Sequence, residues 1–369
     1  MKLASYNVEN LFQRAKAFNL ATWDEGREVL QWQAELNRIL GKTKYSGQDK
    51  KKIVDLMKKL KIDKKDDGGP FVILRQNHGD LVKRPKSGPI EIVADGRNDW
   101  IGWVDLKYEE VDEVATRNTA QVIRDLQADV LGVVEAESRP SLLRFSDNVI
   151  KAVGGVPYEH VMLIDGNDDR GIDVAIMTRD DYPIVSISSH VDDAEGGSRI
   201  FSRDCAQYEI RTAKGNPLFV LVNHLKSKGF GSKATSDKRR ERQASHVKDI
   251  YDELVDKYKF VAIIGDMNDT PESAPLAALT RDAALKDISV HPSFDDGGRP
   301  GTFGNGTASN KIDYILLSPE LFARTKAGGI FRMGVWGGKN GTLFPHYPEM
   351  TKASEAASDH AAIWAEIDI

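Results

Sequence analysis

Cysteine is nearly absent from this chain. Cys205 is the only one in 369 residues, which excludes an intrachain disulfide and fits a reducing compartment; a cytoplasmic location is expected, with export left open. Long apolar runs are missing too: none approaches the roughly 20 residues that span a bilayer, and the first apolar stretch lacks a signal-peptide layout. No membrane span is expected. Positive charge has no surplus, since 51 Lys and Arg stand against 56 Asp and Glu, for a formal net charge of -5. Binding of a polyanion therefore needs a local basic patch or a bound cation. No fixed-period internal repeat is present. What remains is an ordinary globular composition, 40% hydrophobic, with enough apolar residues for a substantial core.

Lys2 to Val8 alternates apolar and polar residues and runs into Asn7, Glu9 and Asn10, the pattern of a strand that delivers polar groups at its end. Between Phe12 and Lys107 the chemistry thins out. Val29, Leu30, Trp32, Leu36 and Ile39 recur at helical spacing behind Asp24, and Ile53, Leu56, Met57 and Leu60 form a second stripe in a lysine-rich stretch, which predicts two amphipathic helices. Phe71–Leu74, Pro89–Ala94 and Trp100–Tyr108 read as short strands. Beyond Asp112 the pattern becomes regular. Val114–Leu126 has helical periodicity, and Asp129–Val134 is an apolar run ending in Glu135. Similar runs follow at Val174–Met177, Leu218–Val222, Phe260–Ile264, Tyr314–Leu317 and Ala361–Ile367, with a helical segment at Arg239–Tyr258. The whole reads as one mixed α/β domain over residues 1–369 with an inserted or elaborated α+β segment at about 13–107, rather than two independent domains.

The informative feature is where polar residues sit relative to these runs. Asn7 closes the first, Glu135 the second, Asn223 and His224 another, Asp266 and Asn268 the next; Asp313 precedes its run, and Asp359 and His360 precede the last. Strand ends on one edge of a sheet converge, so these groups can share a cleft. Glu135, Asp359 and the Asn7 amide oxygen are hard oxygen ligands suited to Mg2+ or Mn2+ rather than to the nitrogen and sulfur set that zinc prefers. Phosphodiester hydrolysis needs charge neutralisation on the phosphoryl oxygens, an oriented nucleophile and support for the leaving oxygen. Asp266 is expected to orient and deprotonate water. Asn268 would hold that carboxylate or a phosphate oxygen, His360 and His224 would donate to phosphate oxygens, and Asp313 would fix the His360 tautomer. Taken singly, Gly265–Asn268 is a turn, Ser358–His360 a helix cap or loop, Glu135 a surface acid and Asn7 an Asx-turn residue. Their conjunction, each at the end of a buried run, points to chemistry.

The segments Tyr6–Leu11, Ala128–Glu135, Asn223–Ser227, Gly265–Asn268, Ile312–Tyr314 and Ser358–His360 resemble, in order, those of the endonuclease/exonuclease/phosphatase superfamily. The resemblance implies a four-layer α/β sandwich, with two packed mixed β-sheets flanked by helices. It makes Asn7, Glu135 and Asp359 metal-site residues, Asp266 the water-orienting acid, Asn268 a phosphate or nucleophile positioner, and His360 a transition-state stabiliser paired with Asp313. Phe201-Ser202-Arg203 resembles the segment that places a phosphate-contacting arginine in pancreatic-type deoxyribonucleases. The string from Asn223 to Gly229, including Lys226 and Lys228, is similar to that of bacterial extracellular-type nucleases. Together these imply a Mg2+- or Mn2+-dependent phosphodiesterase acting on nucleic acid, DNA foremost, with Arg203, Asn223, Lys226 and Lys228 binding substrate.

Two positions depart from the family pattern. Val134 stands where a Gln commonly precedes the metal-site Glu, and Glu137 stands where pancreatic-type enzymes place a groove-inserting arginine, so their grip on DNA does not carry over. A phosphatase or sphingomyelinase-like lipid phosphodiesterase on the same core is the alternative; a noncatalytic binding protein is a second, disfavoured by the presence of every ionisable catalytic position. Lys226, Lys228, Lys233, Lys238, Arg239, Arg240 and Arg242 crowd the stretch after His224. That stretch is expected either to track consecutive phosphates of a polymer or to be a solvated helix start.

Overall fold

The structure is a computed structural model that describes residues 1–17, 23–168, 170–228 and 232–369, and only the backbone of 23–25. Two compact units divide the described residues: Met1–Phe12, Val111–Lys228 and Ser232–Ile369 form the larger, and Gln13–Glu110 the smaller.

The larger unit is built on two mixed sheets. One runs in the order Phe294–Asp295, Thr325–Phe331, Ala362–Ile367, Lys2–Asn7, Val130–Ala136, Asp173–Thr178, His160–Ile164. The other runs Ile184–Ser188, Cys205–Arg211, Pro217–His224, Val261–Asp266, Asp313–Leu317, Lys286–Asp287. At their centres, Lys2–Asn7 lies parallel to Val130–Ala136, and Pro217–His224 parallel to Val261–Asp266.

Why the central runs are apolar at nearly every position follows from burial on both faces. Leu3, Val130, Val134, Val174 and Ile176 of the first sheet meet Tyr208, Val220, Val222, Ala262, Ile264 and Ile315 of the second in the inter-sheet core. Alternate residues face outward. Ala4, Tyr6, Leu131, Val133 and Met177 pack with Ala120, Val122, Ile123 and Leu126 of the helix Glu113–Leu126. Phe219, Leu221, Val261, Ile263 and Leu316 pack with Ala244, Val247, Tyr251 and Leu254 of the helix Lys233–Val255. Helix, sheet, sheet, helix are the four expected layers. The sheets approach closely at Gly132, where an added Cβ would stand 2.4 Å from Ile264 Cδ1.

In the smaller unit, the two expected helices are Trp23–Leu40 and Gly47–Lys59, the second opened by a reciprocal Ser46–Asp49 capping box. The strand ribbon Val72–His78 with Ile101–Leu106 carries Leu74 and Val104 into a core with Leu36, Ile39, Ile53, Leu56 and Trp100. Gln33 and Asn37 donate to the Val104 carbonyl at 2.8 and 2.9 Å and fix helix to ribbon. The predicted strand at 89–94 shrinks to Glu91–Ile92, paired with Val82–Lys83.

Candidate active site

Side-chain alternation determines which strand-end residues meet. Inward Leu3 puts Asn7 inward two pleats later. In the same way, inward Val222 places His224, inward Ile264 places Asp266, and inward Ile315 places Asp313, all at the same end of the inter-sheet core. Cross-strand register confirms the convergence, with His224 beside Asp266 and Asp266 beside Asp313.

Glu135 reaches the same place by breaking the pattern. Asp173 pairs with Ala136 and Val174 with Val134, so Glu135 is the extra residue of a bulge, with φ of 66°. By alternation it would face outward like Val133; the bulge re-aims it, and Glu135 Oε1 lies 3.6 Å from His224 Nε2 on the other sheet. Holding a non-glycine residue in this left-handed conformation costs about 1–2 kcal/mol. The end of the strand Val261–Asp266 requires a glycine at 265, whose φ is 130° and whose absent Cβ would overlap the Asn223 carbonyl.

Around these groups the hydrogen bonds are well defined. His360 Nδ1 lies 2.8 Å from Asp313 Oδ2, which also accepts from Thr302 Oγ1 at 2.6 Å. His360 Nε2 stands 3.9 Å from Asp266 Oδ2 and 3.8 Å from Asp359 Oδ1. Asn7 Nδ2 faces Asp266 Oδ2 at 3.3 Å, while Asn7 Oδ1 accepts the Glu9 N–H. Ser358 Oγ donates to the Asn7 carbonyl and accepts the His360 N–H, so the last segment is stitched to the first. Asn268, with φ of 55°, donates its N–H to Asp266 Oδ1 at 2.8 Å and its amide to the Leu225 carbonyl.

Burial and charge push the groups apart in proton affinity. Burial raises Asp266 and Asp313 raises it further, against the opposing pull of His360 and the Asn268 N–H. Burial likewise raises Glu135, with His360 opposing. Burial works against the charged form of His360, but Asp313, Asp359 and Asp266 outweigh it and hold the imidazole well above its ordinary range. His224 goes the other way: burial, then Arg203 and Arg170, keep it neutral. Acids of raised proton affinity beside a retained imidazolium are an arrangement suited to general acid–base chemistry.

Of the expected substrate-binding residues, Arg203 is fully buried, with Nη1 3.1 Å from Asp168 Oδ2 and Nη2 donating to the Leu225 carbonyl that Asn268 also uses. Lys226 is pulled down to about 7 by burial and by Arg170 and Arg203. Two expected residues stand elsewhere. Alternation turns Asn223 to the opposite face from His224, where its amide donates to the Leu221 carbonyl. Lys228 is engaged by Asp269 at 2.5 Å. Part of the expected basic track is also neutralised: Lys233 pairs with Asp237, and buried Arg240 with Asp237 and Asp269. Lys233, Asp237 and Arg240 belong to the helix Lys233–Val255, which starts earlier than its periodicity suggests; residues 229–231 lie outside the described ones.

Sequence reasoning missed Asp168 and Arg170, which pair at 2.5 Å and extend the Arg203 cluster; Glu9, noted only as a polar group at its strand end, accepts the Asp359 N–H through Oε2. The Asp168-x-Arg170 signal sits in a turn-like, acid-rich stretch that carries no strand run to mark it. Thr302 and Phe303, the latter with its ring 4.9 Å from the imidazole, were likewise unmarked.

The chain belongs to the endonuclease/exonuclease/phosphatase family, whose sequence profile matches residues 76–327. It is accordingly a phosphoesterase, a hydrolase acting on phosphate ester bonds in a divalent-metal-dependent family. No curated protein sequence matches it. Among solved structures, a mannosyl-6-phosphatase from Bacteroides thetaiotaomicron is 18% identical with a TM-score of 0.50, the match covering 69% of this chain and 92% of that one. An endonuclease/exonuclease/phosphatase family protein from the same organism is 18% identical with a TM-score of 0.50, over 68% and 86%. Truncated TDP2 from Caenorhabditis elegans is 18% identical with a TM-score of 0.47, over 68% and 90%. The first two likenesses show a shared fold.

The donor set fits a divalent cation. Half-buried Glu135 and buried Asp266 stand 3.6 and 3.7 Å from His224 Nε2, and Asp266, Asp313 and His360 bring ligand-type atoms within 4.8 Å of one another. Asp266 and Glu135, which burial drives toward protonation, are the groups a bound cation would keep ionised. Among the described residues no helix is long and apolar enough to cross a membrane.

Proposed function

We propose that this chain is a Mg2+- or Mn2+-dependent phosphodiesterase that cleaves phosphodiester bonds of nucleic acid, DNA foremost, by attack of water. One observation carries the reading: Asp266, with raised proton affinity, lies 3.9 Å from an imidazole that Asp313 holds in the charged form. Asp266 takes the proton of the attacking water, and its raised affinity makes it the stronger base. Asn268 fixes that carboxylate through its N–H. His360 presents Nε2–H to the phosphoryl oxygens, where negative charge grows in the transition state, with Asp313 holding Nδ1. Neutral His224 is the second donor. Glu135, Asn7 and Asp359 would hold the cation, which when bound would supply Lewis-acid charge at the phosphoryl group.

Arg203, Arg170 and Lys226 supply cationic side chains for substrate phosphate, and the resemblance of Phe201–Arg203 and Asn223–Ser227 to nuclease segments supports nucleic acid. Residues 13–107 are then an elaboration of a single catalytic domain. A phosphomonoester is the second reading, favoured by the pairing of Lys228, Lys233 and Arg240 with acids, which leaves a compact rather than extended cationic patch. Incubation with plasmid DNA, RNA, abasic duplex and a sugar phosphate, each with and without Mg2+ or Mn2+, tests both. Metal-dependent cleavage of a polynucleotide is expected; turnover of the sugar phosphate alone would replace the first reading by the second.

A further inference from the structure

Outside this site, three side chains converge on another point. His190 and Asp193 lie three residues apart in the loop that follows the edge strand Ile184–Ser188, and His246 comes from the helix Lys233–Val255. Asp193 Oδ2 stands 2.9 Å from His190 Nδ1 and 2.7 Å from His246 Nε2. The side chains of His190, Asp193 and His246 are 20%, 36% and 29% exposed, so an ion and a water molecule can reach them.

The framework is fixed before any ion arrives. The His190 N–H donates to Asp204 Oδ1 at 2.7 Å, Asn167 donates to the Val191 carbonyl at 2.7 Å, and the Ile200 N–H closes onto the Asp193 carbonyl at 2.9 Å. On the helix side, the His246 ring lies 5.7 Å from the ring of buried Phe201. Loop and helix thus present two imidazole nitrogens and one carboxylate oxygen from hydrogen-bonded and packed supports, with all three side chains partly open to solvent.

We propose that His190, Asp193 and His246 form a second metal site, for a zinc-class divalent transition ion, distinct from the hard-oxygen cluster around Glu135. Two nitrogens and one oxygen with room for water match tetrahedral zinc and suit Mg2+ poorly, because Mg2+ demands an octahedral shell of oxygens. The ion clips the loop to the helix six residues beyond Arg240. That helix also holds the segment after His224: Arg240 Nη1 donates to the Lys226 carbonyl at 2.6 Å, and Gln243 Oε1 accepts the Lys226 N–H at 2.8 Å. The ion ties loop to helix while keeping one position for water, and the site is independent of which phosphoester the enzyme cleaves.

The test uses the full chain, stripped of metal, with Glu135→Gln introduced to weaken the other site and Mg2+ in large excess. Zinc is added, unbound ion removed, and retained zinc counted, with the Co2+ absorption spectrum as a second readout of four-coordinate nitrogen and oxygen ligation. The expected result is a single zinc retained per chain and a thermal midpoint raised by roughly 5 °C. His246→Gln and Asp193→Asn should each lower zinc affinity by roughly 100-fold while leaving the circular dichroism spectrum intact. Should His246→Gln fail to fold, His190→Gln, on the loop side, gives the same comparison. Zinc retention unchanged in a folded ligand variant, or no retention by the parent protein, overturns the proposal and leaves Asp193 as a hydrogen-bonded link between two imidazoles.

Discussion

Removing the Asp313 carboxylate should impair His360 without adding to its loss. In the structure Asp313 Oδ2 lies 2.8 Å from His360 Nδ1, and in the proposed mechanism its contribution passes through that bond. A hydrogen bond to a charged group is worth about 1.5–3 kcal/mol, so Asp313→Ala should slow turnover roughly 10- to 150-fold. His360→Ala deletes a donor to the developing phosphoryl charge and should cost about 100- to 1000-fold. If the pair acts as a unit, the double variant should be no slower than His360→Ala by more than a small factor, because Asp313 has nothing left to orient. Asp313 also accepts from Thr302 Oγ1 at 2.6 Å, so stability will fall as well. Single-turnover rates on a phosphodiester must therefore be divided by the folded fraction from urea titrations. Losses that multiply across the two sites would refute the coupling and place Asp313 in a separate role.

Other consequences follow from the same geometry. Chelation should abolish phosphodiester hydrolysis, and Mg2+ or Mn2+ should restore it; full turnover in excess chelator would remove the metal from the account. Lys226, pulled down to about 7, is charged below that pH and neutral above it. Binding of a phosphate-containing inhibitor should therefore weaken as pH rises through about 7, a limb that Lys226→Met should erase; an unchanged profile in the variant would assign the titration elsewhere. Changing Lys228, Lys233, Lys238 and Arg239 to Gln should flatten the salt dependence of polynucleotide binding by roughly 0.7–0.9 for each phosphate no longer neutralised. Because Lys228 and Lys233 already pair with acids, at most the contribution of Lys238 and Arg239 should disappear; a larger drop would show that substrate displaces the ion pairs. Gly132→Val should destabilise by about 1–3 kcal/mol in a urea titration, since even a Cβ would stand 2.4 Å from Ile264; unchanged stability would mean that the sheets can part there.

Much of this architecture was legible because burial on two faces leaves continuous apolar runs, and the runs at 130–134, 174–177, 218–222, 260–264 and 314–317 all proved to be strands. Their polar ends marked Asn7, His224, Asp266 and Asp313, and alternation carries each of them inward. Glu135 was found for its position, but its orientation was not: it depends on a bulge in the pairing with Asp173–Thr178, and bulges leave no periodic trace. Asn223 shows the converse error, because adjacency to His224 in the chain puts it on the opposite face of the strand. Asp168 and Arg170 escaped notice since charge in a turn is ordinarily solvent-facing, and only tertiary packing brings them against Arg203. The basic residues after His224 looked like a polymer track because sequence shows charges in one dimension; Asp269 and Asp237, which neutralise several of them, come from a neighbouring loop and from the helix itself.

The central claim is that Asp266 activates the water. It is tested most directly by a single-turnover comparison of the parent enzyme with Asp266→Asn on a short phosphodiester substrate at saturating Mn2+, with substrate affinity measured in parallel. The substitution keeps the size of the side chain and the hydrogen bond from the Asn268 N–H while removing the base, so the rate should fall roughly 100-fold or more with affinity changed by less than a few fold. A variant that turns over at the parental rate, or one whose whole deficit lies in binding, would contradict the assignment.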